Sequence, residues 1–134
     1  MQQSKQLCQI GRVYPPIIET VPNRPSLDEI CFLVARLLNE SALNMEGEPL
    51  KISPNQILMK NRKHELVLAR YLFVHIAVLY KYFDVEIRRF LNRDHTTVLY
   101  AKSAVADFIE TRYPLFISYY NIVSTAFGLT PLSI

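Results

Sequence analysis

Hydrophobic side chains recur at helical spacing along most of the chain after residue 26. Residues 27–38 carry such a stripe on one face. The run from Glu65 to Phe83 is apolar nearly all round, which is typical of a helix buried at the centre of a bundle. No segment shows the strict alternation of a half-buried strand. The pattern therefore predicts an all-α fold, a small helical bundle.

Capping residues indicate where the first two helices begin. Ser26 is followed three residues later by Glu29, and Ser53 is followed by Gln56 with Pro54 between them. In a capping box the side chains of both residues accept hydrogen bonds from each other's backbone N–H, and proline suits the first helical position. We therefore expect a helix to start immediately after each serine.

Two further helices are predicted to follow the central one, with a very short turn between them. Asp84 to Leu91 reads as a short helix capped by the Asp84 carboxylate, and Asn92 suits a tight turn because it tolerates left-handed backbone. Asp94 would cap a second helix that runs to about Thr111. This is the layout of DNA-reading motifs, in which the start of the second helix meets base edges.

A last helix is predicted to begin at Pro114 and to end at Gly128. Four of its residues are expected to face inward: Leu115, Tyr119, Ile122 and Ala126. The other apolar face would then be exposed: Phe116, Tyr120, Val123 and Phe127. Because so much apolar surface is unfavourable in water, we expect the N-terminal arm or a second copy of the chain to cover it. The second alternative is a homodimer through this helix.

These elements divide the chain into three parts. Residues 1–25 contain four prolines and no helical period, which predicts an extended arm. Residues 26–128 form the helical domain, and residues 129–134 are a short tail. The charge-free segment after Pro114 carries too many polar side chains for a membrane helix, so no membrane partner is expected.

The distribution of charge along the chain favours a polyanionic partner, whereas the net charge does not. The whole chain has a net charge of +3. Between Lys60 and Lys102, however, nine basic residues stand against four acidic ones. A local basic surface attracts phosphate even when the protein as a whole is nearly neutral.

Several functional classes find no support in the residues. The three glycines form no phosphate-binding loop, so neither nucleotide binding nor ATP hydrolysis is expected. No His or Cys pair has the spacing of metal ligands, and Asp94 and His95 would not face each other on a helix. We therefore expect no enzyme, cofactor or metal. Two cysteines and the lack of a signal peptide indicate a reducing cytoplasm.

The segment Arg93-Asp94-His95-Thr96-Thr97-Val98-Leu99-Tyr100-Ala101 resembles the signature of one family. It is similar to the C-terminal DNA-binding domain of DnaA-type bacterial replication initiators, without their ATPase module. Leu91-Asn92 and Tyr100 depart from the usual pattern, in which a glycine pair and a histidine are common. The resemblance implies a Trp-repressor-like fold with a helix-turn-helix.

The resemblance also implies which residues contact double-stranded DNA. The base-reading positions are Asp94, His95, Thr96 and Thr97. The positions expected at the DNA backbone or in the minor groove are Lys60, Arg62, Lys63, Arg93 and Lys102. Four to six phosphate contacts would give a log–log salt slope of roughly −4 to −5.

The function expected from these residues is sequence-specific DNA binding that regulates replication or transcription. The expected location is the nucleoid, and a phage or mobile element is one of the settings in which such a protein could act. The alternative from another class is a protein-interaction module that keeps the helix-turn-helix fold without binding DNA. The basic middle of the chain favours DNA, whereas the charge-free C-terminal segment favours a protein partner.

Overall fold

The protein folds into α-helices joined by turns and loops. The computed structural model describes residues 24–59, 62–93 and 95–132, apart from the side chain of His95. Most of the predicted arm, together with Lys60 and Asp94, therefore lies outside the described residues. The helices are α1 (Leu27–Ser41), α2 (Pro54–Leu58), α3 (His64–Leu79), α4 (Asp84–Leu91), α5 (His95–Thr111) and α6 (Pro114–Ser124), followed by a 3₁₀ turn, Thr125–Phe127.

The predicted all-α class is confirmed, with a single isolated bridge between Leu43 and Pro49 and no strand in the described ranges. The central position of α3 is also confirmed, because α3 contacts each of the other five α-helices. Its buried residues lie on all sides of the helix, including Leu68, Phe73 and Ile76. An apolar helix of this kind is stable only where neighbours cover every face.

The first two helices begin where their capping boxes predict. Ser26 Oγ accepts a hydrogen bond from the Glu29 N–H at 3.1 Å, and Glu29 Oε1 accepts one from the Ser26 N–H at 2.8 Å. Ser53 and Gln56 make the same reciprocal pair ahead of α2. Local hydrogen-bonding chemistry was sufficient for both predictions, since these partners are three residues apart.

The central helix ends at Leu79, earlier than the predicted Phe83. Lys81 adopts a left-handed backbone with φ 70°, which stops the helix. Beyond this point, Tyr82 Oη donates a hydrogen bond to the carbonyl of Pro25 at 2.7 Å, and the Arg24 guanidinium lies 3.7 Å from the centre of the Tyr82 ring. The end of the predicted arm is thus attached to the α3–α4 connection.

The prediction that Asp84 caps α4 is wrong. Phe83 occupies the cap position, and its N–H donates to Glu86 Oε1 at 2.8 Å. Asp84 is the first helical residue, and its carboxylate instead pairs with Lys102 on α5. The Asp84 side chain therefore binds Lys102 on another helix, although the local pattern had predicted that it would cap α4.

The inward face of α6 is the opposite of the one predicted. The buried residues include all four that were expected to face outward: Phe116, Tyr120, Val123 and Phe127. Tyr119 is buried as predicted, but Ala126 is exposed. The larger aromatic side chains fill the space between helices, and the Phe116 ring lies 5.3 Å from that of Phe108 on α5. The domain itself covers this face, so neither the N-terminal arm nor a second copy of the chain is needed to cover it.

The end of the described chain folds back onto α6. The Asn121 side chain donates to the carbonyl of Leu132 and accepts from its N–H, both at 2.8 Å. Gly128 follows the 3₁₀ turn in the left-handed conformation, with φ 70°. Among the described helices, none combines the length and the apolar character needed to cross a membrane.

Candidate nucleic-acid interface

A tight turn connects α4 to α5. Asn92 adopts the predicted left-handed conformation, with φ 56° and ψ 48°. The N–H of Arg93 donates to the carbonyl of Arg88 at 2.9 Å, which closes the turn around Asn92. Leu91, just before it, is fully buried and fixes the end of α4 to the core. The end of α4 and the turn at Asn92 are therefore fixed by backbone bonds and by packing.

The first turns of α5 place two predicted base-reading residues at the surface. Val98, Ala101 and Val105 are buried and attach the helix to the bundle. Thr96 is exposed and Thr97 is half-buried beside it. Asp94 and the His95 side chain lie outside the described residues, so their assignment stays a prediction.

A cleft of about 500 Å³ opens beside the start of α5. Its described walls come from the loop before α3, from α3 itself, from the α4–α5 turn and from α5: Arg62, Val67, Arg70, Tyr71, Arg93, Thr96, Thr97 and Tyr100. Three of these residues are arginines and none is acidic. The tertiary structure thus brings Arg62, Arg93, Thr96 and Thr97 together, although Arg62 is distant from the others in sequence.

Arg70 contributes a buried positive charge to the same cleft. Arg70 is only 7% exposed. Its guanidinium donates hydrogen bonds to the carbonyl of Ile57, at 2.7 Å, and to the carbonyl of Met59. Burial, and secondly the charge of Arg93, lower the pKa of this guanidinium below its ordinary value. Arginine nevertheless stays protonated in proteins, so the buried group remains a cation.

The basic loop between α2 and α3 is attached at both of its ends. Arg70 binds the carbonyls at the end of α2, where the loop begins. At the other end, His64 Nε2 lies 2.7 Å from Tyr113 Oη, in the connection between α5 and α6. Arg62 is therefore carried on a short segment between two tertiary contacts.

Two of the predicted phosphate contacts lie away from the cleft. Lys63 lines a second cleft of about 400 Å³, next to Lys51 and the buried Glu65. Lys102 Nζ binds both carboxylate oxygens of Asp84, each at 3.2 Å, and thereby links α5 to α4. The assignment of Lys102 to a phosphate stays a prediction, but the amine already has an anionic partner in this structure.

If Asp84 keeps Lys102 from phosphate, removing Lys102 will leave the salt dependence of duplex binding unchanged. Both side chains of the pair are more than a third exposed, so Lys102→Ala should lower the free energy of unfolding by only about 0.2–1 kcal/mol. A log–log salt titration of duplex binding measures whether one phosphate contact is lost. A slope shallower by about 1, with no such change in Asp84→Asn, would instead assign Lys102 to a phosphate.

Sequence reasoning missed Arg70, Tyr71 and Tyr100 as neighbours of the site. One signal for Arg70 was present: it is the only Asp, Glu, Lys or Arg between Leu66 and Leu79. A charge within a buried helix requires partners, and here they include two backbone carbonyls. No local pattern marks the two tyrosines, because only folding places their rings 6.1 Å apart.

The remaining reactive groups among the described residues do not form a second site. Cys31 is buried in α1, and burial raises the pKa of its thiol to about 12, so it is not a reactive thiolate at neutral pH. Burial lowers the pKa of His75, whose ring lies 5.7 Å from that of Tyr120. Within the described part of the chain, no three His, Cys, Asp or Glu side chains are grouped to hold a metal ion.

Comparisons of the chain with protein-family models, curated proteins and solved structures found no match. Function is therefore inferred from the residues around the cleft and from their chemistry.

Proposed function

We propose that this protein binds double-stranded DNA in a sequence-specific manner, as a non-enzymatic regulator of replication or transcription. In this proposal α4 and α5 are a helix-turn-helix within a Trp-repressor-like domain of the DnaA type. The first turns of α5 enter the major groove, and the arginines beside them contact the backbone. Such a protein would act at the nucleoid.

One observation carries the proposal. Arg62 and Arg93 flank the same cleft as Thr96 and Thr97, so two cations and two short hydroxyl side chains share one surface. Hydroxyl groups can donate to or accept from base edges, and the threonine methyl can contact thymine. Guanidinium groups pair well with phosphate, which positions a protein along a duplex. The same surface would therefore position the protein on the DNA backbone and read the bases.

The proposed roles differ between the two kinds of residue. His95, Thr96 and Thr97, with Asp94 as the helix cap, would read bases, as the resemblance implies. Arg62 and Arg93, joined by Lys60 and Lys63 of the basic loop, would bind phosphates. Base contacts determine which sequence is preferred, whereas phosphate contacts strengthen binding to every sequence.

Selection of bound duplexes from a random pool, followed by affinity measurements on variants, tests this division. His95→Ala and Thr97→Ala are expected to cost about 1–3 kcal/mol at the selected site and to relax its base preference. Lys63→Ala should weaken all sequences by a similar factor, because a phosphate contact carries no sequence information.

Two results would contradict the proposal in different ways. If His95→Ala and Thr97→Ala select the wild-type site with unchanged affinity, the base-reading assignment is wrong although DNA binding stands. If the wild-type protein enriches no duplex at low salt, DNA binding itself is wrong. The protein-interaction module would then be the better explanation of the cleft and its arginines.

A further inference from the structure

The exposed face of α5 carries two large side chains that the core does not use. Leu99 is 48% exposed and Tyr100 is 66% exposed, in the interval between the exposed residues Thr96 and Ser103. At helical spacing these four residues lie along one face. We call Leu99 and Tyr100 the apolar strip of α5.

Leu99 and Tyr100 are not core residues that the fold leaves partly uncovered. α5 already attaches to the bundle through Val98, Ala101 and Val105, which lie on its opposite side. Tyr100 is also held in place, because its ring meets that of Tyr71 edge-on, with 6.1 Å between the centroids and 69° between the planes. A side chain ordered before binding loses less entropy when it meets a ligand.

The surroundings of the strip favour a polyanion over an apolar protein surface. Tyr100 lines the cleft together with Arg62, Arg70 and Arg93, and no described residue of that lining is acidic. A purely hydrophobic partner would supply no anion for Arg62 or Arg93. Duplex DNA supplies phosphates for the arginines and, in its major groove, one apolar group for the strip.

We infer that the apolar strip makes this protein select thymine, through contact of Leu99 and Tyr100 with thymine C5-methyl groups in the major groove. This inference rests on the proposed function, and it names the base that the surface prefers. Among the four bases only thymine presents a methyl group there. Thr96 and Thr97 would read the neighbouring base pairs on the N-terminal side of the strip.

Replacing thymine by uracil tests the contact, because this exchange removes the methyl group and leaves the hydrogen-bonding pattern intact. In the duplex selected by the wild-type protein, each thymine is replaced in turn, and the dissociation constant is measured. At one or two positions we expect binding about fourfold weaker, as burying one methyl group is worth about 0.8 kcal/mol. In the Leu99→Ala or Tyr100→Ala variant, uracil at those positions should no longer weaken binding.

Leu79→Ala is the matched control, since Leu79 has a similar exposure of 43% but lies at the end of α3. This variant should keep the wild-type response to uracil. Thermal unfolding of each variant shows that the fold is retained before affinities are compared.

Three results would overturn the inference. A selected site without thymine, or one in which uracil is tolerated at every position, shows that no methyl group is read. Losses that stay the same in both strip variants show that uracil acts through the duplex or through Thr96 and Thr97, and not through the strip. In each of these cases the wild-type protein still binds DNA, so the proposed function stands. No duplex binding at all would remove both.

Discussion

Raising the salt concentration from about 50 to about 200 mM is expected to weaken duplex binding about 150-fold. Each cation that neutralises a phosphate releases counterions, which gives a log–log slope of roughly −0.9 per contact. Four cations remain for this role when Lys102 is assigned to Asp84: Lys60, Arg62, Lys63 and Arg93. The expected slope is therefore about −3.6, and fluorescence anisotropy with a labelled duplex measures it.

Single substitutions serve as controls for the salt prediction. Arg62→Ala and Arg93→Ala should each make the slope shallower by about 1. Arg36 is paired with Glu40 on α1, at 3.3 Å, so Arg36→Ala should leave the slope unchanged. A response that is flat from low to moderate salt would contradict any DNA role. Equal slopes for the wild type and Arg62→Ala would exclude that residue from the phosphate contacts.

Arg70→Met is expected to lower the free energy of unfolding by about 3–6 kcal/mol. The guanidinium satisfies the carbonyls of Ile57 and Met59 at the end of α2, and hydrogen bonds to a charged group are worth about 1.5–3 kcal/mol each. Methionine fills a similar volume with apolar atoms but leaves both carbonyls without that donor. Urea unfolding, with the midpoint and slope compared between variants, measures the change.

Arg89→Met is the matched control for this loss. Arg89 is exposed on α4, so the same exchange there should change stability by less than about 0.5 kcal/mol. If Arg70→Met were as stable as the control, the buried guanidinium would not anchor the basic loop. Full stability of Arg70→Lys, which keeps the charge but not the forked geometry, would show that the anchoring does not require the fork.

Local chemistry within the sequence determined most of the helices. The starts of α1 and α2 follow from capping partners three residues apart, and the end of α5 at Thr111 lies where its pattern predicts. The left-handed turn at Asn92 was also readable, because Asn tolerates this conformation better than most residues. The apolar run of α3 sufficed to predict the centre of the bundle, since such a helix requires cover on every side.

The sequence did not determine which face of α6 is buried. Both faces are apolar, so periodicity alone could not distinguish them. The choice depends on shape: Phe116 fits beside Phe108 of the preceding helix, and Phe127 lies 6.1 Å from Tyr80, which is distant in the sequence. Side chains of the right volume at the right place are known only once the helices are packed.

The candidate site divides in the same way. The residues at the start of α5 could be proposed from the sequence because they form one continuous segment beside a predicted turn. The cleft, the buried charge of Arg70 and the pairing of Lys102 with Asp84 required the tertiary structure. Each of these depends on side chains from different helices, and their proximity is created by packing around α3, which local sequence patterns do not encode.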